Sequence, residues 1–234
     1  MTSRVVEVDG LHVTFRRDAG AVQAVQDLSF AVARGETLAI IGESGSGKSV
    51  TLRALIGLLP RHAEVTGRIV IAGQDLARLS ARELQQLRGT KVGFIFQEPA
   101  TALDPVYTIG EQIVETIVEH EGIDRDTARR RALDLLDRVS VPAAARRLAN
   151  YPHELSGGMR QRAMIALALA CRPAILLADE PTTALDATVQ VQLLLLLREL
   201  QRELEMAMIF VTHDMGVAAE VADRVAVMYA GRFV

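Results

Sequence analysis

The run Gly42-Glu43-Ser44-Gly45-Ser46-Gly47-Lys48-Ser49 stands directly between a short apolar segment, Thr37 to Ile41, and a segment of helical spacing, Ser49 to Leu58. It fits G-x-x-x-x-G-K-[ST], a pattern that carries meaning only where a strand feeds it and a helix leaves it. That context restricts the fold to an α/β sheet with the loop at a strand's C-terminal end. Glycines let the backbone curl until successive N–H groups and the helix N-terminus point at one place, forming a cradle for phosphate oxygens. Lys48 adds a cation, and the Ser49 hydroxyl adds an oxygen ligand for Mg²⁺. Gly42 through Ser49, with Val50 beside them, are the candidate nucleotide contacts.

A second constellation is Ile175-Leu176-Leu177-Ala178-Asp179-Glu180, an apolar strand ending in two carboxylates. Parallel sheets bind ligands at that edge. Alone, an acidic pair after a strand reads as a solvated turn; beside a phosphate loop it reads as a site. Asp179 is expected to reach the Mg²⁺ shell. Glu180 is placed to orient the attacking water as general base, since phosphoryl transfer needs mainly positioning and charge neutralisation.

The rest of the chain divides into three characters. Val5 to Val8, Leu11 to Phe15 and Leu28 to Val32 alternate and are separated by Asp-Gly and Arg-Gly signals, which predicts antiparallel strands joined by turns. Val65 to Ile71 adds a strand, and Ser80 with Glu83 three residues on has the spacing of a capping box. Between Gly93 and Met159 helical periods dominate: Ile109, Ile113 and Ile117, then Ala128, Ala132, Leu135 and Val139. Ala174 to Ala178 and Met208 to Thr212 are predicted as parallel strands buried on both faces, and Val225 to Tyr229 as a further strand. The leucine run Leu193 to Leu197 suits a core-facing helix.

Composition narrows the class further. The 234 residues carry 26 basic and 29 acidic side chains, a net −3, so nothing offers nucleic acid a basic footprint. The single Cys171 excludes an internal disulfide and points to a reducing compartment. Met1 to Gly10 lacks an apolar signal core, and the most hydrophobic stretch, Ala163 to Ala178, is broken by Arg172 and Pro173 and is too short to span a bilayer. The protein is expected in the cytoplasm. His12, His62, His120 and His153 show no metal-ligand spacing.

Leu155-Ser156-Gly157-Gly158-Met159, followed by Arg160-Gln161-Arg162, narrows the nucleotide-binding class. The segment resembles the LSGGQ signature of the ABC family, with Met159 in place of glutamine. Gln97 in Phe94-Ile95-Phe96-Gln97-Glu98-Pro99 looks like that family's Q-loop, Ala184-Leu185-Asp186 like its D-loop, and His213 in Phe210-Val211-Thr212-His213-Asp214 like its switch histidine. The resemblance covers essentially the whole chain. It implies a P-loop NTPase fold: one ABC-type cassette over 1–234, with a RecA-like core, an antiparallel β subdomain, and an α-helical subdomain over about 98–160 inserted in the core. It also implies an ATPase using ATP and Mg²⁺.

Site residues follow from the same resemblance. Lys48, Gln97, Glu180 and His213 are the catalytic set, and Ser49, Gln97 and Asp179 the metal set. Gly42, Glu43, Ser44, Gly45, Ser46, Gly47, Lys48, Ser49 and Val50 bind nucleotide, and Phe15 stacks on the adenine ring. Phe15 also alternates with Leu11 and Val13, which suits a core role. Ser156, Gly157, Gly158 and Asp186 face the nucleotide of a second cassette in a head-to-tail homo- or heterodimer. Two membrane permease subunits, and indirectly an extracytoplasmic solute-binding protein, complete the expected assembly at the cytoplasmic face of the inner membrane.

Glu98-Pro99-Ala100-Thr101-Ala102-Leu103-Asp104-Pro105 resembles the subgroup importing dipeptides, oligopeptides, nickel or glutathione, so the expected solute is peptide-like. In that subgroup a further C-terminal segment usually follows the last strand, whereas this sequence stops at Val234, so the chain is expected to be a fragment that lacks a possible C-terminal extension. The alternatives are a soluble ABC ATPase acting on ribosomes or DNA, and a nucleotide-binding regulatory subunit without turnover.

Overall fold

The computed structural model describes residues 4–17, 20–183 and 185–234. Met1 to Ser3 and Ala184, the first residue of the expected D-loop, lie outside the described residues. The chain opens with a long antiparallel pair, β1 (Arg4–Arg17) and β2 (Gly20–Ala33). Val5 to Val8 and Leu11 to Phe15, expected as two strands, belong to one. Asp9-Gly10 is a bulge in β1, marked by register shifts between Val8 and Leu11 against β2. Gly10 adopts φ 56° there, which lets the strand twist without breaking. Arg34-Gly35, by contrast, is a true turn into β3 (Thr37–Ile41).

After α1 (Lys48–Leu55), β4 (Ala63–Ile71) and β5 (Gln74–Asp75) complete a four-stranded antiparallel sheet in the order β2-β1-β4-β5. Next, α2 (Ala81–Thr90) begins at the expected capping box: Glu83 N donates to Ser80 Oγ at 3.3 Å, and Ser80 N donates to the Glu83 carboxylate at 2.8 Å. β6 (Val92–Ile95) then enters a second sheet.

Five α-helices separate β6 from the next strand: α3 (Pro99–Ala102), α4 (Ile109–Glu121), α5 (Arg125–Arg138), α6 (Ala144–Arg147) and α7 (Gly157–Ala168). The periodic residues of α4 and α5 do what their spacing predicts, since Ile109, Ile113, Ile117, Ala128 and Ala132 are all buried in one cluster. Caps set the starts, with Thr108 and Glu111 forming a second box and Asp124 accepting from Thr127 N at 2.9 Å.

Crossover units finish the chain: β7 (Ile175–Asp179), α8 (Ala187–Glu203), β8 (Ala207–Thr212), α9 (Met215–Val221), β9 (Arg224–Tyr229) and β10 (Arg232–Phe233). The second sheet runs β10-β9-β3-β8-β7-β6 and is parallel from β9 to β6, with β10 antiparallel. Every residue of β3, β7 and β8 is buried. Leu176, Ala178, Met208 and Phe210 face the helical insertion and α8, while Ile175, Leu177, Ile209 and Val211 face α1 and the antiparallel sheet. Burial on both faces is why these strands read as unbroken apolar runs.

Four leucines of the run Leu193 to Leu197 are buried, but Leu195 is 60% exposed. At about 100° per residue, five successive side chains pass right round a helix, so one must face outward. Among the described residues no helix is long and apolar enough to cross a membrane.

Candidate functional site

The parallel sheet brings four chain segments to one edge. The glycine-rich loop follows β3, Gln97 follows β6, Asp179 and Glu180 close β7, and His213 follows β8. There they surround a cleft of about 640 Å³ lined by Ala24, Glu43, Ser44, Gly45, Gly47, Lys48, Ser49, Val50, Gln97, Glu180 and His213.

The loop's shape depends on Gly47. Its φ of 107° is left-handed, and a Cβ there would stand 2.4 Å from the Ala24 carbonyl oxygen and 2.8 Å from the Met228 methyl. No side chain caps α1 at Gly47, so the helix's first N–H groups stay available to an anion. Lys48 is almost fully buried, and its ammonium donates to the carbonyls of Gly42 at 2.7 Å and Glu43 at 2.8 Å. These two carbonyls fix the ammonium at the start of the loop, with Glu180 Oε1 4.0 Å away. Ser46 is buried behind the loop, and its hydroxyl has no partner.

Ser49 Oγ donates to Asp179 Oδ1 at 2.7 Å. Two oxygens on adjacent vertices of a Mg²⁺ octahedron with bonds near 2.1 Å lie about 3.0 Å apart, close enough to the observed separation for this pair to suit that ion. Among the described residues no cluster of three His, Cys, Asp or Glu side chains could cage a metal unaided. Mg²⁺ characteristically takes only one or two protein oxygens and completes its shell with water and phosphate. Burial pushes the Asp179 carboxyl up from its usual range, and the Ser49 hydrogen bond opposes that.

Glu180 adopts φ 46°, an unusual backbone state for a residue with a Cβ, and its N–H donates to Val211 O at 3.0 Å. Its carboxylate is held from two sides. Thr183 Oγ1 donates to Oε2 at 3.1 Å, and His213 Nδ1 lies 3.3 Å from the same oxygen. His213 itself is exposed at the mouth of the cleft.

Other expected contacts stand elsewhere. Phe15 does not line the cleft; its ring packs on the β1 side of the core, 5.8 Å from the His62 ring and tilted by 54°. That placement answers to the alternation of Leu11, Val13 and Phe15 along β1. Gly42 and Ser46 support the loop from behind without lining it. Ser156, Gly157, Gly158 and Asp186 also lie outside the cleft. Ser156 caps α7 by accepting from Met159 N at 3.3 Å, and Asp186 caps α8 by accepting from Val189 N at 3.0 Å. Met159 keeps the backbone donor of that cap while its side chain packs on the helical core. Both Ala24 and Thr183 were missed from the sequence. Ala24 carries no chemical signal, whereas a hydroxyl three residues after Glu180 was a signal to be had.

A phosphate loop, an acidic strand end and a histidine on one sheet edge, beside an antiparallel sheet and a helical insertion, define an ATP-binding cassette. The sequence profile of the ABC transporter family matches residues 25–183, and the chain belongs to that family. It is an ATPase of the kind that drives these transporters.

Among its relatives, the dipeptide transport ATP-binding protein DppD of Bacillus subtilis is 52% identical over 231 residues, 98% of this chain and 69% of that protein. The oligopeptide transport ATP-binding protein OppD of the same organism is 50% identical over 99% of this chain and 65% of that protein, so the chain spans just under two thirds of its length. The glutathione import ATP-binding protein GsiA of Shigella boydii is 51% identical, with only 38% of its length covered. In three dimensions the chain superposes on the dimeric post-hydrolysis cassette MJ0796 bound to ADP and Pi with a TM-score of 0.86, at 31% identity over 98% of this chain and 97% of that one.

Proposed function

We propose that this chain is the ATP-binding and hydrolysing subunit of an importer for peptide-like solutes, working as a pair of cassettes on the cytoplasmic face of the membrane beneath two permease subunits. The observation that carries the proposal is the convergence of Lys48, Glu180 and His213 on one cleft, with Asp179 bonded to Ser49 of its lining, in a chain about half identical to transport ATPases named for dipeptide, oligopeptide and glutathione. The net charge of −3 does not favour a soluble remodeller of ribosomes or DNA.

In this reading the loop N–H groups and Lys48 hold the β- and γ-phosphates, and Ser49 and Asp179, with Gln97, would hold Mg²⁺, which would supply charge neutralisation. Glu180 accepts a proton from water as the water oxygen bonds to the γ-phosphorus. The bond from that phosphorus to the bridging oxygen breaks, and ADP leaves with the electron pair. His213 and Lys48 stabilise charge on the transferring group. The exposed N-terminus of α7 at Ser156 to Gly158, together with Asp186, contacts the nucleotide of the second cassette, so hydrolysis reopens the pair.

Co-purification from detergent-solubilised native membranes tests the proposal. Two multi-spanning permease subunits in the eluate, with hydrolysis stimulated in proteoliposomes by a peptide-loaded solute-binding protein, are expected. Ribosomal or DNA-repair partners, or an ATPase indifferent to peptide, overturn it.

A further inference from the structure

Gln161 is one of the few fully buried polar residues of the chain, 3% exposed, and the chemistry above gives it no part. It lies on α7, the helix that begins at Ser156, and its Nε2 donates to the Pro181 carbonyl at 2.6 Å. Pro181 follows Glu180 directly. The proline has no N–H of its own to anchor the loop, and its carbonyl, in a buried segment, takes this amide as a donor. The peptide carrying Glu180 is therefore pinned at both ends, by Val211 O on its N–H and by Gln161 on the carbonyl one residue later.

The neighbouring residue holds a different body. Arg162 Nη1 donates to Val139 O at 2.8 Å, at the end of α5 in the helical insertion. Two successive side chains of α7 thus grip the insertion and the catalytic loop. The helix's first turn also rests on α8, since a Cβ at Gly158 would stand 3.3 Å from Val189 Cγ1.

We propose that Gln161 is a positioning residue, joining the Ser156 helix to the Glu180 loop so that the nucleotide of the second cassette, met at Ser156, sets the Glu180 carboxylate of the first. This rests on the roles given above to Ser156 and Glu180. A ligand on the α7 N-terminus moves the helix as a rigid rod, and the short hydrogen bond passes that displacement to the backbone of residue 181.

The test is a double-mutant cycle on the full chain, reading steady-state ATP hydrolysis, with Gln161→Leu, Ser156→Ala and the pair. Leucine keeps the bulk and removes the donor; Gln161→Met replaces it if the leucine variant does not accumulate. A kcat about tenfold lower with KM for ATP within about twofold is expected, because nucleotide contacts in the cleft are untouched. The losses of Gln161→Leu and Ser156→Ala should fail to add, the pair being no slower than its worse member. Independent, fully additive losses would mean a merely structural amide and overturn the proposal, as would an unchanged kcat. Glu180→Gln run alongside separates the two ideas. If it hydrolyses normally, the role of Glu180 falls; if it is inactive while Gln161→Leu is normal, only the inference falls.

Discussion

Ser49 and Asp179, 130 residues apart in sequence, share a hydrogen bond of 2.7 Å between Oγ and Oδ1. The bond joins the first turn of α1 to the end of β7 and places two hard oxygens side by side. Ser49→Ala is expected to weaken apparent Mg²⁺ affinity by about 10- to 100-fold, the usual cost of disturbing a ligand or its support. A Mg²⁺ titration of hydrolysis at saturating ATP checks this, and an unshifted midpoint removes Ser49 from the metal set.

Glu180→Gln keeps the size of the side chain and loses the base. Turnover should fall by about 10² to 10⁴ while ATP binding persists. Thr183→Val removes one of the two groups on Oε2 and should lower kcat by roughly tenfold, with KM little changed. Phosphate release together with calorimetry of ATP binding distinguishes the two variants.

At Gly47 an added methyl group meets the Ala24 carbonyl in a backbone state of φ 107°. Gly47→Ala should therefore both strain the loop, at about 1–3 kcal/mol, and close the cradle. Loss of ATP binding with a lowered Tm is expected. Wild-type affinity would show that the loop has room that its contacts deny.

Acid should loosen the helix caps first. Hydrogen bonds from Thr108 hold the Glu111 carboxyl below its ordinary value, and those from Thr127 do the same for Asp124. A depressed folded value means stability that is present above the ordinary carboxylate range and lost as pH falls through the folded values. Urea midpoints should therefore hold above about pH 5 and decline below about pH 4, with a shallower decline in Glu111→Gln. Asp179, raised by burial, acts with the opposite sign and partly offsets the slope.

Burial, together with the charge of Glu121, raises the Cys171 thiol to about 11, with Arg131 opposing. At pH 8 its thiolate fraction is about two orders of magnitude below that of a free cysteine, so iodoacetamide should label it correspondingly slowly until the protein is unfolded. Rapid labelling of the native chain would contradict the burial of this side chain.

Local pattern was enough to place most elements. Thr37 to Ile41 is β3 to the residue, and the Ser80 box marks a helix start that the structure repeats. Asp9-Gly10 misled because the same dipeptide serves a turn or a bulge, and only the partner strands β2 and β4 decide which. Leu195 was indistinguishable from its four buried neighbours, since a run of identical side chains carries no phase.

What the sequence determined by itself was the chemistry on offer: a phosphate loop, two carboxylates ending an apolar strand, a histidine after another, and the order that identifies the family. These are local, because a glycine at positive φ or a cap three residues from its partner needs no distant contact. Only the tertiary structure decided which of those groups meet. Thr183 and His213 converge on one oxygen of Glu180, Phe15 packs beside His62 and is not part of the cleft lining, and Gln161 ties α7 to Pro181. Such pairings depend on how strands separated by whole helices are ordered in one sheet, and that order is set by burial of both faces of the sheet at once, a property no single segment carries.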